Sequence, residues 1–205
     1  MRDQAETRAA LRGWVAGGRA LSRAEIGDPH RVILVEGVSD VAALETLAAR
    51  RGCSLSDSGV AVVPMDGATN VRRYAELLGP NGLGLPLIGL CDAGEERFYR
   101  SVLPTENVLV CRADLEEELI RSLGTGGTIE VITAQGDLRA WRLFQRQPAQ
   151  RERSRTAQLR RFMGTMSGRK RRYAAAMCAV LAEYRVPTPL AAALSSTDTL
   201  SSTDE

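Results

Sequence analysis

Carboxylates stand in this chain wherever an apolar run ends. Glu36 closes "RVILVE", Asp66 follows "GVAVVP", Asp92 ends "LPLIGLCD", and Asp114 with Glu116 comes just after "NVLVC". Asp40 follows Glu36 in "EGVSD". Brought close together without a counter-charge, such groups would repel one another strongly. A hard divalent cation with oxygen ligands removes that repulsion, and Mg²⁺ suits a sparse set of carboxylates completed by water.

The acids can meet only if the apolar runs are neighbouring parallel strands. Val32–Val35, Gly59–Pro64, Leu85–Asp92 and Asn107–Cys111 read as strands. Between them Asp40–Arg50, Asn70–Gly79, a short stretch around Glu95–Arg100 and Asp114–Gly124 read as helices, the last closed by its glycine. Short apolar strands alternating with helices specify an α/β fold with a parallel sheet covered on both faces. In such sheets functional groups gather beyond the carboxyl ends of the strands. Asp40 and Asp114 also stand where helix caps belong, so capping is a second reading for those two.

The rhythm stops after Gly127. "TIEVITAQGDLRAWRLFQRQ" reads as a short strand and a helix, and "RTAQLRRFMGTM" and "GRKRRYAAAMCAVLAEYRV" read as helices. The expected organisation is an N-terminal helical segment (1–28) with Leu11, Trp14, Val15 and Leu21 at its apolar positions, an α/β domain (29–127), a basic helical extension (128–194) and a polar, disordered tail (195–205). From Arg142 to Arg172 the chain is basic against a single acid, Glu152, although the net charge is only +2. Arg151, Arg153, Arg155, Arg160, Arg161, Arg169, Arg171 and Arg172 are the candidate contacts to a phosphate backbone, the alternative being a solvated helical face. Four cysteines without CxxC spacing suggest neither a zinc site nor a disulfide framework. No signal sequence and no run long enough for a membrane span is visible, and the expected location is cytoplasmic.

"VEGVSDVAALE", "VVPMDGATNVRRYAELLG", "GLCDAGEE" and "ADLEEELI" together resemble a Toprim domain, most closely that of the OLD (overcoming lysogenization defect) endonucleases. The resemblance runs from about Arg31 to Gly124 and extends more weakly to "SGRKRRYA". It implies a Rossmann-like four-stranded parallel sheet, and it implies Glu36 as general base or metal ligand with Asp40 as a second acid. Asp92 matches the first acid of the family's DxD pair. Gly94 stands where the second is expected, leaving Glu95, Asp114 and Glu116 as the remaining candidate ligands. One or two Mg²⁺ or Mn²⁺ ions and DNA are the implied cofactor and substrate. Lys170, the sole lysine of the chain, matches a lysine that the family places close to the metals, and is the second candidate catalytic residue. OLD nucleases carry an ATPase, but no GxxxxGK[ST] loop occurs here. The resemblance therefore implies a stand-alone Mg-dependent endonuclease, a subunit served by a separate ATPase chain, or a non-catalytic module that binds metal, nucleotide or nucleic acid and regulates an ATPase partner.

Overall fold

The computed structural model describes residues 4–166 and 168–195. The chain begins with α1 (Gln4–Val15) and then runs β1 (Arg31–Val35), α2 (Val38–Arg50), β2 (Val60–Pro64), α3 (Val71–Leu78), β3 (Leu87–Asp92), α4 (Glu96–Arg100), β4 (Val108–Cys111) and α5 (Leu115–Ala134). Helices α6 (Leu138–Arg146), α7 (Arg155–Met163), α8 (Arg169–Val180) and α9 (Thr188–Ser195) follow. The four strands form one parallel sheet in the order β2-β1-β3-β4. The α/β reading is correct. The tail from 196 onward, expected to be disordered, lies outside the described residues.

Alternation along β1 splits the core in two, because successive side chains of a strand point to opposite faces. Val32 and Leu34 pack with Leu11 of α1, Tyr74 of α3 and Tyr99 of α4. Ile33 and Val35 pack with Leu44 and Leu47 of α2, Leu119 of α5, Tyr173 and Met177 of α8 and Leu190 of α9. Covering on both faces explains why β1 after Arg31, and β2 throughout, are apolar. The helices after 127 therefore share one core with the sheet. Trp141, Phe144, Phe162 and Tyr173 join α6, α7 and α8 through ring contacts of 5.3–6.3 Å.

One local expectation needs correction. "TIEV" is helical, not a strand. Its β-branched residues imitate a strand, but the buried ones, Thr128, Val131 and Ile132, fall at helical spacing. Gly124, with φ 77° and ψ 162°, interrupts α5 where the glycine stop is expected, and a second helical stretch runs on from it to Ala134. That conformation suits glycine, which has no Cβ to clash.

Gly89 in β3 lies under α4, where an added Cβ would strike the ring of the fully buried Tyr99 and come within 3.1 Å of Leu103. Gly89→Ala is expected to lower stability by about 1–3 kcal/mol through overpacking, as read from urea unfolding. An unchanged midpoint would mean that α4 moves aside without cost.

Candidate active site

The strand order decides which acids meet. β1 and β3 are neighbours, and the chain leaves them in opposite directions across the sheet, so their carboxyl ends flank the crevice of an open α/β sheet. Glu36 follows β1 directly and Asp92 is the last residue of β3. Asp40 lies in the first turn of α2, is almost fully buried, and accepts a hydrogen bond from the Gly37 N–H at 3.0 Å. Glu116 enters from the first turn of α5 and Lys170 from the first turn of α8. These five side chains line one cleft of about 520 Å³, walled on the other side by Gly164, Met166 and Gly168 of the α7–α8 connection.

The remaining candidates are placed differently. Glu95 stands at the start of α4 and Asp114 at the start of α5, and neither lines the cleft, although the charge of each is felt at Glu36. Asp114 caps α5 by accepting the Glu117 N–H at 2.8 Å and is ion-paired with Arg160. Asp66 also lines the cleft but is ion-paired with Arg12 of α1, with its backbone in the left-handed region at φ 56°. Aspartate enters that region more readily than most residues.

Burial and mutual repulsion set the electrostatics of the cleft. Asp40 is pushed up to about 7, first by burial and then by the charges of Glu116 and Glu36, against the opposing Gly37 hydrogen bond. Asp92 also rises to about 7, through burial and then the charges of Asp40, Glu36, Asp114 and Glu116. Glu36 is raised by burial and by Glu95, with Lys170 pulling the other way. For Lys170, partial burial disfavours the ammonium, but the Glu116 charge and hydrogen bond more than offset it, and its pKa is raised. Lys170 Nζ donates to Glu116 Oε2 at 3.1 Å.

These shifts tie stability to pH. Unfolded aspartates release their protons near pH 4, whereas folded Asp40 and Asp92 hold theirs to about 7. Between those values the native state binds more protons, so in EDTA stability should fall as pH rises from about 4 to about 7 and level off above. Asp40→Asn, which keeps a capping oxygen, should flatten the fall and stabilise the chain at pH 8 by about 1–3 kcal/mol. Urea titrations in EDTA across this range read the slope. A parent and variant with equal slopes would contradict the assigned burial.

The arginines of the basic stretch fall into two groups. Arg169 is buried, stacks its guanidinium 4.3 Å from the Phe162 ring centre, and donates to Thr165 Oγ1 at 2.7 Å. Arg160 is held by Asp114, and Arg172 by Asp137, which also accepts from the Tyr173 hydroxyl at 2.8 Å. By contrast Arg151, Arg153, Arg155, Arg161 and Arg171 are exposed and make no ion pair among the described residues. Asp137, which fixes the first turns of α8 and so the base of Lys170, was not singled out in the sequence. A lone acid after a glycine gives no signal of a partner more than thirty residues away.

Residues 30–93 match the family model described as "Overcoming lysogenization defect protein-like, TOPRIM domain". Over that stretch the chain is similar to an OLD-like Toprim domain. A solved C-terminal region of the Burkholderia pseudomallei OLD protein superimposes with a TM-score of 0.61 at 20% identity, covering 82% of this chain and 96% of that one. A C-terminal region of the Xanthomonas campestris pv. campestris OLD protein does so with a TM-score of 0.60 at 24% identity, over 82% and 94%. The fold likeness thus extends beyond the Toprim sheet into the helices that follow it. A comparison with curated proteins gives no match. No described helix is long and apolar enough to cross a membrane.

The cleft suits a hard ion in two respects. Its charged oxygen donors are carboxylates, and Glu116 Oε1 is buried without any hydrogen-bond partner among the described residues. Among the described residues no group of three or more His, Cys, Asp or Glu side chains is arranged to cage a metal. The carboxylates therefore form no preassembled cage, which suits an ion that keeps several of its waters, as Mg²⁺ does.

Proposed function

We propose that this chain is a Mg²⁺- or Mn²⁺-dependent phosphodiester hydrolase acting on DNA. The observation that carries the reading is the convergence of Glu36, Asp40, Asp92, Glu116 and Lys170 on one cleft at the carboxyl ends of β1 and β3. Glu36, Asp92 and Glu116 would hold the ion, with Asp40 behind them and Glu95 and Asp114 shaping the field from the rim. When bound, a divalent ion supplies a water of lowered pKa and polarises the scissile phosphate. Glu36, half-buried and with raised proton affinity, takes the proton of the attacking water. The Lys170 ammonium stabilises charge on the phosphate or the leaving oxygen. Exposed arginines of the C-terminal helices, Arg155, Arg161 and Arg171 among them, hold the DNA backbone without reading its sequence.

A second reading is favoured by Gly94, which removes one acid of the DxD pair, and by the absence of a preassembled three-residue cage among the described residues. On that reading the domain binds metal, nucleotide or nucleic acid and regulates a separate ATPase chain. Incubation with supercoiled plasmid in Mg²⁺ or Mn²⁺, against EDTA, separates the two. Nicked or linear product only with metal supports the hydrolase, and intact plasmid in every condition supports the binding module.

A further inference from the structure

The two edges of the sheet are treated differently. At the β2 edge, α1 lies across the strand and satisfies its outward carbonyls: Gln4 Nε2 donates to Val60 O at 2.6 Å and Arg8 Nε to Val62 O at 2.8 Å. This is the usual protection of an edge strand. At the opposite edge no side chain of the described residues hydrogen-bonds to the backbone of β4. A groove of about 720 Å³ runs along it instead. Leu109 and Val110 of β4 are partly buried on the strand side, and Tyr184, 89% exposed, stands on the opposite wall between α8 and α9.

The charge of this groove is one-sided. Arg112, Arg121 and Arg185 line it, all exposed, against one acid, Glu118. The Glu118 carboxylate is buried, paired with Arg121, and accepts the Arg112 N–H at 2.7 Å, so it offers no negative charge to a ligand. Arg112 and Arg185 make no ion pair among the described residues.

We infer that the β4 edge is a docking strand for a protein partner presenting an extended, acidic segment. Such a segment adds its main chain to the open edge and sets alternate side chains against Leu109, Val110 and Tyr184, while its carboxylates meet Arg112, Arg121 and Arg185. Exposed tyrosine and arginine around a half-apolar strip are the residue types that dominate binding energy at interfaces. A second copy of this chain is the poorer occupant, because a two-fold pairing of β4 with itself would bring the same guanidiniums together. Nucleic acid is also poorer, since a phosphate backbone makes no use of an apolar strip beside an open strand edge. The inference uses no residue of the acidic cleft and stands apart from the hydrolase reading.

The test is fluorescence anisotropy of the full chain with a labelled peptide alternating glutamate and valine, and with its lysine–valine counterpart. The acidic peptide should bind and the basic one should not. Arg112→Glu combined with Arg185→Glu should weaken binding at least about tenfold. Two peptides N-methylated on opposite alternate residues should differ, only the one with its edge-facing amides blocked failing to bind. Equal binding of both charges, no binding of either, or indifference to the arginine substitutions or to N-methylation would overturn the inference. Competition by duplex DNA that is itself lost in the double variant would assign the groove to nucleic acid instead. Light scattering that gives a dimer abolished by Arg185→Glu would assign it to a second copy.

Discussion

Replacing Asp92 by asparagine, or Glu36 by glutamine, is expected to reduce metal-dependent cleavage of plasmid DNA by at least about a hundredfold while leaving the fold intact. The two residues leave neighbouring strands of a rigid parallel sheet, so each supplies a carboxylate from a fixed position. Either substitution removes one negative charge from a cleft where burial and crowding already raise the proton affinity of Glu36, Asp40 and Asp92. The variants should therefore unfold at equal or higher urea than the parent in EDTA, which separates loss of chemistry from loss of structure. Variants that cut as fast as the parent would remove these residues from the site. Variants that fail to fold would show that the carboxylates serve the structure instead.

Lys170→Ala should lower the cleavage rate by about a hundredfold or more with little change in DNA affinity, and Lys170→Arg should not restore it. The ammonium is held by Glu116 at 3.1 Å on the first turn of α8. A planar guanidinium on a longer stem cannot occupy the same point beside that carboxylate. Arg155→Ala and Arg161→Ala should behave in the opposite way, weakening binding and reducing its salt dependence while the rate at saturating DNA is kept. Single-turnover cleavage and anisotropy titrations at several salt concentrations read the two effects separately. If Lys170→Arg cuts like the parent, Lys170 acts only as one more positive charge.

The fold was legible because its signals are local. Apolar strands bounded by turns and helices with 3.6-residue spacing identify themselves within a few residues, and β1 to α4 follow the expected order. The same locality misled at "TIEV", where β-branched residues serve a helix whose partners, α7 and α8, come later in the chain. At the cleft the acids were recognisable by where the apolar runs end, but their partners were not. Nothing near Asp66 announces Arg12, and nothing near Asp114 announces Arg160. Strand order brings Glu36 and Asp92 together, with β1 between β2 and β3, while Asp66, which also lines the cleft, is taken by Arg12. The basic stretch shows the same limit. Its sequence presents a run of equivalent arginines, whereas packing turns Arg169 inward onto Phe162 and ties Arg160 and Arg172 to acids.

On the proposed function, the carboxylates of one cleft jointly hold a divalent ion. Electron paramagnetic resonance of Mn²⁺ titrated into the parent, Glu36→Gln, Asp92→Asn and Glu116→Gln reads this without any appeal to cleavage. The free Mn²⁺ signal should be suppressed by the parent, restored on addition of excess Mg²⁺, and retained largely unsuppressed in each single variant. Suppression that is equal in the parent and all three variants, or absent in the parent, would contradict it.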